Sequence, residues 1–259
     1  MFIDTHAHIY SEEFREDLEN MLTDSAIAGV SDIYMPNIDS TSIDDMMQIA
    51  EKHKNCHAMM GLHPCYVKDN YKDELAIVEK NLSEHTFAGV GEIGIDLYWD
   101  KTFGSEQEIV FRRQIALAKE YGLPFVIHSR DSLDMTISIV NELQDGNLSG
   151  IFHCFNGDAE QAKRIMDVGF LMGIGGVITY KNAGVDIVVA NIPMEYLVLE
   201  TDAPYLSPVP YRGKRNECAY ISVIAEKLAD VKGITKSEIG AVTTFNANKL
   251  FSAAPKAFH

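Results

Sequence analysis

The sequence predicts an α/β fold, a TIM (β/α)8 barrel of parallel strands with an outer ring of helices, on three observations. Apolar runs of strand length alternate with helical segments along the whole chain. Its 259 residues suit one such barrel, which typically needs about 250. Ionisable residues recur at the ends of the apolar runs, where a parallel barrel builds its site. An open doubly wound sheet shares part of this pattern, but eight regular repeats favour closure. No linker, low-complexity tract or charge block divides the chain, so residues 1–259 read as a single barrel domain.

Each element has its own signal. Phe2 and Ile3 open the first strand, and His6 and His8 follow at a spacing of two. Alternate side chains of extended backbone share a face, so the two imidazoles aim at one point. Residues 11–29 read as the first helix, with Ser11 a cap and Gly29 closing it. Strands follow at 31–36, 56–63 (stopped by Pro64), 87–96, 124–128, 150–155, 170–175 and 196–201. Helices fall between them at 42–54, 72–82, 105–121, 132–143, 158–168 and 183–191, and two more at 217–231 and 235–251 finish the chain.

Composition narrows the class. With 46% hydrophobic residues the chain can bury a sizeable core. No apolar run approaches the roughly 20 residues of a membrane span, and no basic segment followed by an apolar one opens the sequence. A cytoplasmic protein is expected, with no membrane and no obligate protein partner. Cys56, Cys65, Cys154 and Cys218 lack CxxC spacing, which excludes a zinc ribbon and fits free thiols. The net charge of −16, from 22 basic and 38 acidic residues, argues against a broad basic surface for duplex DNA. It leaves room for a phosphate-bearing substrate, because bound ions invert the field inside a pocket.

The strand ends carry the chemistry. His6 and His8 end the first strand, His63 the third, Glu92 and Asp96 the fourth, His128 the fifth, His153 the sixth, and Glu200 and Asp202 the eighth. Taken singly, each has a bland reading: a hydrogen-bonded histidine, a carboxylate held by an arginine, a turn cap. Together, four histidines and two carboxylates at one barrel mouth suit Zn²⁺, Mn²⁺ or related ions, and divalent ions satisfy groups otherwise costly to bury. Six ligands support two ions, with Glu92 offering one oxygen to each. Ions about 3.5–4 Å apart would ionise a shared water and stabilise both attacking and leaving oxygens in phosphoester hydrolysis.

The motifs FIDTHAH at the start, GLHP at 61–64, GEIGID at 91–96, HSRD at 128–131, HCFNG at 153–157, ETDAP at 200–204 and RGKRNE at 212–217 together resemble the TatD family of metal-dependent deoxyribonucleases. The resemblance runs to about residue 251, in order and spacing. It implies a barrel hydrolase holding one to three divalent ions (Mg²⁺, Mn²⁺ or Zn²⁺). It implies that His6, His8, Glu92 and Asp202 hold one ion and Glu92, His128 and His153 the other, with Asp202 also positioning or deprotonating the attacking water. His63 takes a substrate or accessory-metal role. The implied activity is hydrolysis of phosphodiester bonds in DNA, as a 3′→5′ exonuclease preferring single-stranded ends. Two positions depart from the family pattern: Cys218 replaces a proline and Asn156 a serine. Neither is a proposed ligand, but Cys218 bears on the path of the 212–218 loop.

Arg130 follows the fifth strand, and Arg212, Lys214 and Arg215 follow the eighth; there they would grip a phosphate backbone or simply be solvated. Arg130 and Arg215 are the expected substrate contacts. Tyr98, Trp99 and Phe103 are either base-stacking residues or lid or core residues. Gly89, Gly91 and Gly94 match a dinucleotide fingerprint by letter only, since they lie within a strand. Met35, Met46, Met47, Met59 and Met60 read as packing. Two rivals remain. An amidohydrolase-like enzyme cleaving an amide, lactone or phosphotriester would share the barrel, although such relatives commonly bridge their metals with a carboxylated lysine where this chain has Glu92. A non-catalytic barrel would keep the ions for stability or binding.

Overall fold

The computed structural model describes residues 1–252; the last seven positions of the expected 1–259 domain lie outside the described residues. Strands β1 (Phe2–Asp4), β2 (Val30–Pro36), β3 (Cys56–Met60), β4 (Gly89–Asp96), β5 (Phe125–Arg130), β6 (Gly150–Phe152), β7 (Leu171–Ile174) and β8 (Leu197–Leu199) pair in parallel in chain order. Helices α1 (Leu18–Ile27), α2 (Ile43–Lys52), α3 (Tyr71–Glu84), α4 (Gly104–Tyr121), α5 (Leu133–Leu143), α6 (Ala159–Asp167) and α7 (Val185–Val189) cover the outside. They are joined by α8 (Ile221–Lys232) and α9 (Lys236–Phe251). The barrel closes where Thr5 N donates to Leu199 O (3.1 Å), Asp202 N to His6 O (2.9 Å) and His8 N to Ala203 O (2.7 Å). The expected TIM barrel is the observed fold.

Side-chain alternation builds the interior in layers. Ile3, Tyr34, Met59, Val126, Ile151 and Val198 form one buried cluster inside the strands, and Ala247, Leu250 and Phe251 of α9 close its base. Phe251 stacks on Tyr34 with ring centroids 3.7 Å apart. Two residues further along three of these strands the interior position turns polar: Val126 is followed by His128, Ile151 by His153, and Val198 by Glu200. The apolar layer is thus the floor on which the polar layer stands.

Two expectations are corrected. The first helix does not span 11–29: Glu12–Phe14 forms a short 3-10 turn and α1 starts at Leu18. Phe14 is buried there, which anchors the turn to the barrel. Strands β6 and β8 also stop short of the expected ends, at Phe152 and Leu199. Just beyond, Cys154 and Asp202 adopt positive φ (48° and 59°), which breaks the pairing and aims the neighbouring side chains into the mouth.

Candidate metal centre

His6, His8, Glu92 and Asp202 converge at the carboxyl end of the barrel. Glu92 Oε2 lies 3.1 Å from His6 Nε2 and 3.4 Å from His8 Nε2, and Asp202 Oδ1 lies 3.7 and 3.6 Å from the same nitrogens. The other oxygen of Glu92 faces His128 Nδ1 at 2.9 Å and His63 Nε2 and His153 Nε2 at 3.5 Å each. One carboxylate therefore sits between two groups of imidazoles, as a bridging ligand requires. Glu92 and His6 are 2% and 0% exposed, so these groups meet away from water.

The donor chemistry fits divalent cations. Three overlapping sets each bring their ligand atoms within 4.8 Å of one another: His6, His8 and Glu92; His63, Glu92 and His128; His6, His153 and Asp202. The two Nε2 atoms of His6 and His8 approach to 3.2 Å, and buried His6 Nδ1 has no hydrogen-bond partner. Burial opposes ionisation of Glu92, yet the surrounding imidazoles of His6, His63 and His153 hold its carboxyl well below the usual range. Burial lifts Asp202 to about 6, against the pull of His153 and His8.

Outer partners fix which nitrogen faces inward. Tyr10 donates its hydroxyl hydrogen to Pro36 O and so accepts from His8 Nδ1 (2.9 Å), leaving the Nε2 lone pair of His8 for an ion. Glu200 Oε1 stands 3.1 Å from His153 Nδ1 and orients that ring the same way. Burial works against a charged His153, but Glu200 and Glu92 outweigh it and raise its pKa to about 10. His128 is held at both nitrogens, by Glu92 Oε1 and Asp96 Oδ2, each at 2.9 Å. His63 is the opposite case. Its Nδ1 accepts from Cys65 N (3.1 Å), so the proton resides on Nε2, a donor rather than a ligand atom.

Tyr10, Asp96 and Glu200 were not assigned site roles from sequence. Asp96 and Glu200 were visible as carboxylates at strand ends; Tyr10 had only its i+2 spacing from His8 as a signal. Cys218, at the position of the expected loop-fixing proline, is fully buried against Asp4 and Thr201. Asn216 anchors the same loop through Nδ2 to Thr201 O and Tyr205 O, 2.6 Å each.

The basic residues divide. Arg130 lies at the mouth, with its guanidinium carbon 4.2 Å from the Tyr98 ring and 5.1 Å from that of Trp99. Arg215, the other expected substrate contact, is engaged within the protein. It pairs with both oxygens of Asp17 (2.8 and 2.7 Å) and with Glu217 (3.1 Å), and it covers Phe14. The physical reason is that 3-10 turn after β1, which brings Asp17 beneath the loop. Among the described residues no helix is long and apolar enough to cross a membrane, and all four cysteines are free thiols.

Comparison with known proteins agrees with this geometry. The family model described as TatD related DNase matches residues 3–252. The uncharacterized metal-dependent hydrolase YabD of Bacillus subtilis is 39% identical over 252 residues, covering 97% of this chain and 99% of the relative. The crystal structure of YJJV, a TatD homologue from Escherichia coli K12, superposes with a TM-score of 0.92 at 30% identity, covering 97% of this chain and 98% of that one. An organophosphorus hydrolase from Deinococcus radiodurans, at 12% identity and a TM-score of 0.68, shares the fold alone. With the family model matching residues 3–252 and a relative 39% identical over 97% of this sequence, the chain belongs to the TatD family of metal-dependent hydrolases.

Proposed function

We propose that the protein hydrolyses phosphodiester bonds in DNA, removing nucleotides from 3′ single-stranded ends. The observation that carries this reading is Glu92, whose two oxygens face separate groups of imidazoles 2.9–3.5 Å away. His6, His8, Glu92 and Asp202 would hold one divalent ion (Mg²⁺, Mn²⁺ or Zn²⁺), and Glu92, His128 and His153 a second. Ions bound there supply an acidified water and neutralise phosphate charge.

The protein's own groups do the rest. Asp202, lifted to about 6 by burial, accepts a proton from the attacking water more readily than a surface aspartate would. His63 stays neutral, because burial lowers its pKa, and its Nε2–H points at the centre as a donor to a phosphate oxygen. Asp96 and Glu200 hold His128 and His153 in place. Arg130, at the rim, is a contact for substrate phosphate. A cytoplasmic home accords with the free thiols and acidic charge.

The test is cleavage of end-labelled single-stranded DNA by metal-stripped protein with each ion added back. Stepwise shortening from the 3′ end, absent in Glu92→Ala, is expected. No cleavage with any ion, from protein that still binds two, favours the second reading, a small-molecule hydrolase. The commitment of Arg215 to Asp17 favours that second reading, since it leaves fewer cations for a nucleic-acid backbone.

A further inference from the structure

A cavity of about 610 Å³ opens beside the metal centre, between the loops that follow β4, β5 and β6. Its wall includes Tyr98, Arg130, Ser132, Asn156 and Gln161. The cavity takes no part in assembling the ligand set described above, yet it is mechanically tied to it. Asp96, which holds His128 through Oδ2, accepts the backbone N–H groups of Tyr98 and Trp99 through Oδ1 at 2.9 and 3.0 Å.

Its polar groups fall into two kinds. Gln161 is already engaged at both ends, accepting from Asp158 N and donating to Asp134. Asp134 in turn pairs with Arg164. Arg130 and Asn156 are different: both are exposed, and among the described residues neither side chain has an acidic or amide partner. Arg130 is held only by the faces of Tyr98 and Trp99, which pack edge to face with centroids 4.9 Å apart. Trp99 is 67% exposed and packs against Tyr98 of the cavity wall, so its ring presents apolar surface to solvent beside the cavity.

A flat apolar ring, a guanidinium without a carboxylate and a free amide are complementary to one ligand class: a planar heterocycle with an attached anion. We propose that this cavity is a subsite for the nucleotide next to the scissile phosphodiester. The base stacks on Trp99, Arg130 takes the flanking phosphate, and Asn156 meets the edge of the base. The assignment rests on the DNA-end reading for its substrate. It explains how a protein of charge −16 can hold a nucleic acid, through stacking and one local cation instead of a basic face.

Trp99 is the single tryptophan of the chain, so tryptophan fluorescence reports on the surroundings of this one ring, beside Tyr98 and Arg130 of the cavity wall. Metal-stripped protein is titrated with trideoxythymidylate, and separately with thymidine and inorganic phosphate. Saturable quenching by the trinucleotide is expected, with affinity about tenfold weaker in Arg130→Ala, the loss of one charge-assisted contact. A shallow salt dependence is also expected, with a slope near −0.7 for one phosphate on a single strand. No saturable change, an Arg130→Ala affinity equal to wild type, or an equal response to inorganic phosphate alone overturns the subsite. The titration involves no turnover. Quenching without cleavage by any ion therefore leaves an oligonucleotide-binding cavity but removes the nuclease reading and with it the place beside a scissile bond; cleavage without quenching keeps the nuclease reading and overturns the subsite.

Discussion

Glu200 Oε1 accepts two hydrogen bonds at once, from the backbone N–H of Cys154 at 2.6 Å and from His153 Nδ1 at 3.1 Å. The carboxylate is fully buried, and its second oxygen packs where a Cβ on Gly173 would stand, 2.0 Å away. Strand β7 therefore needs a glycine at 173 for Glu200 to hold both the loop and the imidazole.

Glu200→Ala should weaken divalent-ion binding by about 10–100-fold, the usual cost of removing a partner that orients a metal-binding histidine. Gly173→Ala, by displacing the Glu200 side chain, should give a loss of the same kind. Competition with a chromophoric chelator measures both, and circular dichroism checks that the barrel persists. Wild-type affinity in both variants would show that His153 needs no such support.

His63→Ala should separate binding from turnover. Because Nδ1 of His63 accepts from Cys65 N, its Nε2–H is a donor, and its loss should leave ion affinity within about threefold. Turnover should fall on the order of 100-fold, as for removal of one donor to developing charge. A large drop in ion affinity would make His63 a ligand instead.

Arg215→Ala should act on stability and not on substrate. The pair with Asp17 is partly exposed, 26% and 40% at the two side chains, so its loss should cost only about 1 kcal/mol even with the contact to Phe14 included. The salt dependence of oligonucleotide binding should stay as in the wild type. A flattened slope would return Arg215 to the substrate path.

Phe251→Ala should loosen the base of the barrel. The ring is 8% exposed and stacked on Tyr34, and truncating such a side chain costs about 3 kcal/mol. For a chain of this size that is a fall of roughly 6–12 °C in the unfolding midpoint, with the ion affinity of the distant mouth unchanged.

How far the sequence could be read depended on the kind of interaction. The runs that became strands were legible because a parallel strand buried on both faces must be apolar, and the histidines and acids at their ends stood out against that background. His6, His8, Glu92, His128, His153 and Asp202 were all brought to one mouth by the fold those runs specify. The pairing of Arg215 could not be read because its partner, Asp17, is 198 positions away and nothing local marks the pair. The first helix was overextended because the buried Phe14 and its short turn look helical in a sequence window. Tyr10 escaped notice because fixing a tautomer needs a distance of 2.9 Å, which spacing alone cannot supply.

The closure of β1 against β8 sets an order in time. His6 and His8 precede Asp202 and the strand that anchors β1 by nearly 200 positions, so they are synthesised well before it. A chain stopped between them carries the imidazoles without the frame that converges them, and so without an assembled centre. A fragment ending before Leu197 should accordingly show no high-affinity ion in titration, and mixing in the missing segment should restore the site and the closed barrel together.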